Sequence, residues 1–159
     1  MGQWLNFFGA TASGAATLTG LVFVGLSINL HKILSISYLT NRALEGLILL
    51  VNIFIVSLLS IVPQTTMFLG LEISGFNLIV WFIVLRLGLK MYRKSHKEHK
   101  RRNFAHIVLT QLAVLPFFAA SFCFMIGDPA GFYILIGAIF MSYFKALMDS
   151  WVLLVEINR

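Results

Sequence analysis

Charge is scarce in this sequence. Only 11% of its 159 residues are Asp, Glu, Lys or Arg, against about 25% in soluble domains. Hydrophobic residues make up 59%, above the usual ~45–50%, so too little polar surface exists to clothe a soluble globule of this size. Cysteine is nearly absent: Cys123 stands alone inside an apolar run, which excludes an intrachain disulfide. No Asn-x-Ser/Thr sequon occurs. The opening MGQWLNFFGA has no basic segment of a secretory signal, and Asn6 stands where a myristoylation pattern needs Ser or Thr; this apolar start is expected to remain in the mature protein. No Ser–His–Asp arrangement, HExxH or phosphate loop is present, so neither catalysis nor a cofactor is expected.

What the sequence does have is long apolar runs. A bilayer core takes about 20 apolar residues per helix, and five stretches meet that length: roughly 6–30, 42–62, 67–89, 104–126 and 131–155. PQTT at 63–66 and GDPAG at 127–131 are turns, SISYLTN at 35–41 is a polar connection able to cap the second helix, and Pro116 breaks the fourth span. The expected fold is all-α: one transmembrane domain over 1–159, a five-helix bundle with short loops and no soluble domain.

The cations are unevenly placed. Seven of the twelve Lys and Arg lie in KMYRKSHKEHKRRNF at 90–104. The 31–42 connection adds Lys32 and Arg42 and the C-terminus adds Arg159, while the other two turns and the N-terminus have none. This alternation is the positive-inside pattern. It places the N-terminus outside and the basic loop 90–103 and C-terminus in the cytoplasm. Trp4 and Tyr133 then fall at the outer interface, with Tyr38, Tyr92 and Trp151 at the inner one. Arg93, Lys94, Lys97, Lys100, Arg101 and Arg102 are expected to meet anionic lipid headgroups of the inner leaflet. One basic tract without a second patch does not make a nucleic-acid-binding face. His96 and His99 are three apart, but cations surround them and no third ligand is evident, so no metal is expected.

Polar groups inside apolar spans are costly and mark candidate sites. In the fifth span Ala138, Ser142, Lys145, Asp149 and Glu156 recur at helical spacing and form one polar stripe, with Lys145 and Asp149 one turn apart. In the second, Arg42, Glu45 and Asn52 share a face. The third adds Arg86 and Glu72, and the fourth His106 and Gln111. Arg42, Arg86 and Lys145 balance Glu45, Asp149 and Glu156, a set that either clamps helices together or lines a hydrated inner vestibule. Asn29, His31, Glu45, Asn52, Ser142, Lys145, Asp149 and Glu156 are therefore the candidate ligand- or ion-pathway residues. In the first span Gly9, Ser13, Ala16, Gly20 and Ser27 make a small-residue face suited to packing against another helix, within this chain or in a partner.

Three stretches, TLTGLVFVGLSINLHKIL at 17–34, NRALEGLILL at 41–50 and SWVLLVEINR at 150–159, resemble short bacterial multi-pass membrane proteins, mostly uncharacterised, some of them labelled modulators of the FtsH membrane protease. The resemblance covers about a quarter of the chain and includes Ser27, Asn29, Arg42, Glu45 and Glu156. It implies a bacterial inner-membrane protein and no particular activity. Two function classes follow for the chain: a small channel- or transporter-like homo-oligomer with a polar cytoplasmic vestibule, or a non-catalytic partner of another membrane protein such as a protease. An enzyme acting on lipid, with His31 or His106 as base, is a third.

Overall fold

A computed structural model describes residues 4–93 and 100–157, apart from the side chains of residues 37, 102, 156 and 157. Among the described residues six helices follow in order: α1 (Leu5–Ile28), α2 (Leu30–Ser35), α3 (Ser37–Ile61), α4 (Thr66–Arg93), α5 (Lys100–Met125) and α6 (Ala130–Ile157). All but α2 are long and apolar enough to cross a membrane, and no strand occurs among the described residues. In hydrocarbon each backbone N–H and C=O must be satisfied within the segment, and helices achieve this. The chain is an integral, multi-pass membrane protein with an all-α fold.

Helices α3, α4, α5 and α6 form an up-and-down bundle in which sequence neighbours are also spatial neighbours and α6 closes back on α3. Helix α1 lies outside this ring, packed along α3. It reaches α6 through aromatic side chains: the Trp4 ring stacks on Phe132 at 5.7 Å and meets Tyr133 edge-on at 5.4 Å. Between the four central helices Leu49, Ile53, Leu69, Ile73, Phe117 and Leu135 are fully enclosed. Packed side chains, mostly apolar, fill the axis of the bundle among the described residues, which leaves no wide aqueous pore through that part of a single copy.

Close helix approach is set by glycine. A Cβ on Gly70 would stand 2.7 Å from the Ser121 carbonyl oxygen, and one on Gly131 2.8 Å from the Phe124 ring. Gly127 has φ +77°, the left-handed conformation that ends a helix most easily at glycine. The Asp128 N–H bonds back to the Cys123 carbonyl at 2.9 Å, closing α5 in a Schellman-type turn. The Asp128 carboxylate then accepts the Ala130 N–H at 2.8 Å and starts α6.

Two local expectations need correction. SISYLTN is not a capping connection: α3 already begins at Ser37, its N-cap is Ile36 with no side-chain cap, and LHKILS before it forms the short α2. Thr40 bonds back to the Ile33 carbonyl at 2.7 Å and joins the two helices. Pro116 does not break the fourth span, because α5 runs unbroken through it to Met125. Pro116 removes one donor to the Leu112 carbonyl, and packing on both sides carries the helix past that loss.

Candidate functional site

The end of the bundle where α4 stops and α5 starts is here termed the basic end. A little inside it, three helices bring ionisable side chains together. Helix α3 supplies Tyr38, Arg42 and Glu45 from one face, α5 supplies His106, and α6 supplies Lys145 and Asp149. Glu45 and Asp149 are wholly buried, and Lys145 and His106 nearly so. Backbone proximity makes the meeting possible. A Cβ on Gly46 would be 3.7 Å from both the Ala146 carbonyl and the Asp149 Cβ, so α3 and α6 nearly touch where the short Asp149 must reach across. Gly88 of α4 leaves the space beside the Glu45 carboxylate.

Asp149 is the hub. Its Oδ1 accepts from Arg42 Nε at 2.9 Å and lies 3.1 Å from His106 Nε2, while Oδ2 is bonded to Lys145. Arg42 also bonds Tyr38 Oη. Glu45 Oε2 sits 3.5 Å from His106 Nδ1, and neither Glu45 oxygen nor that nitrogen has a hydrogen-bond partner among the described residues. Buried carboxylates without partners are costly, so Glu45 is the least satisfied member of the cluster.

His106 faces two ways. Its Nε2 is 3.1 Å from Asp149 Oδ1 and 3.1 Å from Lys145 Nζ. A neutral imidazole has one donor and one acceptor nitrogen. With the proton on Nε2, the ring donates to Asp149. With it on Nδ1, the ring turns its donor toward Glu45, and Nε2 accepts from Lys145. The two tautomers differ by which carboxylate the ring serves. One ligand atom each from Glu45, His106 and Asp149 lie within 4.8 Å of one another, a spacing compatible with a metal ion. The Arg42 and Lys145 cations, both bonded to Asp149, oppose a further cation there.

The cluster opens sideways into a cleft of about 310 Å³ walled by Tyr38, Arg42, His106, Lys145, Met148 and Asp149, with Ala105, Leu109 and Val152 completing it. Farther from the basic end, at the α3–α4 contact, Asn52 Nδ2 donates to Asn77 Oδ1 at 3.1 Å, and Asn77 Nδ2 donates to the Ile73 carbonyl at 2.9 Å. Asn52 Oδ1 is buried and has no hydrogen-bond partner among the described residues. Asn52 lies seven residues beyond Glu45 on the same face, about 10 Å at 1.5 Å per residue.

The remaining candidates are dispersed. Ser142 is buried and donates to the Ala113 carbonyl at 2.8 Å, tying α6 to α5 beside Pro116. Asn29 is the half-buried residue between α1 and α2, and His31 is exposed on α2. Arg86 stands outside the charged set, exposed, with its guanidinium 4.2 Å from the Phe82 ring centroid; it lies off the face of α4 that carries Val84 and Gly88 into the bundle. The Glu156 side chain lies outside the described residues, as do Lys94, His96, Lys97 and His99 and the Arg102 side chain. Arg93, Lys100 and Arg101 are exposed, and Lys100 Nζ is 5.9 Å from the Tyr92 ring centroid. Ser13, Ala16, Gly20 and Ser27 are exposed and Gly9 half-buried. Helix α1 meets the bundle with a different face, that of Phe8, Thr11, Ala12 and Ala15.

His106 and Asn77 were the residues hardest to place from sequence. Each lies on the buried period of its helix: His106, Thr110, Ala113, Phe117 and Ala120 in α5, and Ile73, Asn77, Val80 and Val84 in α4. A polar residue in phase with such a series is the signal that finds them. Comparison of the chain with protein-family models, with curated proteins and with solved structures yields no match in any of the three.

Proposed function

We propose that this integral membrane protein is a small transporter- or channel-like protein whose charged cluster is its proton-handling site. The observation that carries this reading is His106, held 3.5 Å from the otherwise unpartnered Glu45 and 3.1 Å from Asp149. A proton arriving on Glu45 passes to Nδ1 as the Nε2 proton passes to Asp149, and ring tautomerisation resets the pair. No bulky group moves, which suits a bundle whose axis is filled. The Asn52–Asn77 pair continues the polar line toward the opposite end, and the cleft at Asp149 is its exit. The positive-inside pattern supports an N-terminus outside, and so a site on the cytoplasmic side; the resemblance of 17–34, 41–50 and 150–159 to bacterial multi-pass proteins supports a bacterial inner membrane. The exposed basic residues Arg93, Lys100 and Arg101 would then lie among anionic headgroups.

Reconstituted vesicles carrying a pH-sensitive dye and an imposed pH gradient test the reading. Wild-type protein is expected to collapse the gradient faster than protein-free vesicles, and Glu45→Gln and His106→Gln to remove that difference. Wild-type vesicles as tight as protein-free ones at both polarities of membrane potential would sink it.

A second reading, a non-catalytic partner of another membrane protein such as a protease, is favoured by α1. Added Cβ atoms on Gly9 and Gly20 would meet nothing within 4 Å, so the small-residue face is open to a helix from another chain or a second copy. Co-purification in mild detergent discriminates. A stoichiometric heterologous partner lost on Gly20→Leu supports it, self-association lost on the same change supports a homo-oligomer, and recovery of monomer alone contradicts both.

A further inference from the structure

The charged cleft does not end at the charges. A second hollow of about 180 Å³ adjoins it between α5 and α6, walled by Leu112, Ala113, Met141 and Phe144, and Leu109, Lys145 and Met148 border both. Together they form one furrow with a polar head and an apolar tail. Its rims face the surroundings of the bundle: Leu109 is 43% exposed, Leu112 53% and Phe144 66%. In a membrane those surroundings are acyl chains. The furrow therefore opens to lipid along its side.

The chemistry of the head is set by a surplus of donors. Two cations and a histidine share Asp149, the one carboxylate on the wall among the described residues, since Glu45 lies behind His106 and off the lining. A guanidinium has five N–H groups. Arg42 spends its Nε on Asp149 and a terminal nitrogen on Tyr38, and the rest have no partner among the described residues. The depth also fits. Helix α4 has 28 residues, about 42 Å at 1.5 Å per residue, against a hydrocarbon core of about 30 Å. Each end therefore has about 6 Å to spare for the headgroup layer. Asp149 lies eight residues before the end of α6, about 12 Å in, and Arg42 five residues after the start of α3, about 8 Å in. The cluster thus sits just beneath the headgroups of the leaflet at the basic end.

We propose that this furrow is a binding site for one anionic phospholipid of that leaflet, its phosphodiester drawn down onto Arg42 and Lys145 and one acyl chain laid between α5 and α6 along Leu109, Leu112 and Phe144. The second acyl chain stays in the bilayer, as an open-sided furrow allows. A net negative head suits the surplus of N–H donors, and a zwitterionic head would bring its ammonium group against two cations. The site shares residues with the proton-handling reading but does not require transport.

The test is native mass spectrometry of the full chain from detergent doped with equimolar phosphatidylglycerol and phosphatidylethanolamine of matched chains, with oleate in a parallel arm. One retained phosphatidylglycerol is expected, favoured over phosphatidylethanolamine by about fivefold for each engaged cation, the ratio that one cation near an anionic surface confers. Leu109→Trp, on an exposed wall and so tolerated by the fold, is expected to abolish that selective retention by filling the furrow. Arg42→Gln is expected to reduce the selectivity while some lipid is still retained. Equal retention of the two phospholipids, selectivity untouched by Leu109→Trp, or displacement of phosphatidylglycerol by oleate would each overturn the proposal. Proton flux through vesicles of phosphatidylethanolamine alone separates it from the transport reading: flux without lipid selectivity removes this inference only, and selectivity without flux removes the other.

Discussion

Replacing Asp149 by Asn changes one oxygen for an amide and removes the charge at the hub of the cluster. In the wild type that carboxylate accepts from Arg42 at 2.9 Å, lies 3.1 Å from His106 and is bonded to Lys145. The Arg42 and Lys145 side chains are 11% and 5% exposed, so neither has water enough to replace the lost partner. Breaking a buried pair by removing one partner costs about 3–5 kcal/mol, because an uncompensated charge stays behind. Asp149→Asn should lie in that range. Lys145→Met should cost less, since Asp149 keeps Arg42 and His106. The double variant Lys145→Met with Asp149→Asn leaves one stranded cation where the Asp149 variant leaves two. It should be more stable than the sum of the singles by about 1–3 kcal/mol, the coupling typical of residues in one network. Reversible unfolding in mixed micelles, followed by circular dichroism against denaturant mole fraction, measures all four proteins. A fully stable Asp149→Asn, or strictly additive costs, would show that the three helices are not held through this carboxylate.

Other consequences follow from the same packing. Asn77→Leu strands the Asn52 amide in the core and should cost about 1–3 kcal/mol, whereas the Asn52→Leu, Asn77→Leu pair should recover most of that; if the pair also carries the proton path, the double variant is stable but passes no protons in the vesicle assay. Gly70→Ala pushes a methyl to 2.7 Å from the Ser121 carbonyl and should cost about 1–3 kcal/mol as overpacking, read as an earlier melt of the purified protein; an unchanged melt would contradict the closeness of α4 and α5. Tyr143→Phe removes the 2.7 Å bond to the Thr11 carbonyl, about 0.6 kcal/mol for a hydrogen bond between membrane helices, and should raise proteolysis or exchange in α1 ahead of global unfolding.

The spans were legible because hydrocarbon demands long apolar runs, and little else satisfies a buried backbone there. The pairing of Lys145 with Asp149 was legible for a similar reason: residues four apart on a helix are neighbours whatever surrounds them. Their partners were not. Periodicity places Arg42 on a face of α3 and His106 on a face of α5, but which faces meet depends on close contacts such as Gly46 against Ala146. Arg86 shows the converse, a charge of the right sign at a matching depth that points away from the bundle. The small residues of α1 announced room for a close neighbour without saying which. Phe8, Thr11, Ala12 and Ala15 took the contact with the bundle, since the aromatic anchors at Trp4 and Phe8 fix the rotation of α1 against α6. The short α2 escaped notice because six residues carry too little periodicity to read.

Nitrogen-15 NMR of the His106 ring in lipid bilayers is the most direct test of the account, using a chain in which His31, His96 and His99 are replaced by Gln. If the imidazole passes protons between two carboxylates, both neutral tautomers should be populated and exchanging, and Glu45→Gln and Asp149→Asn should shift the balance in opposite senses. A single tautomer, unmoved by either change, would make His106 a fixed strut and contradict the account.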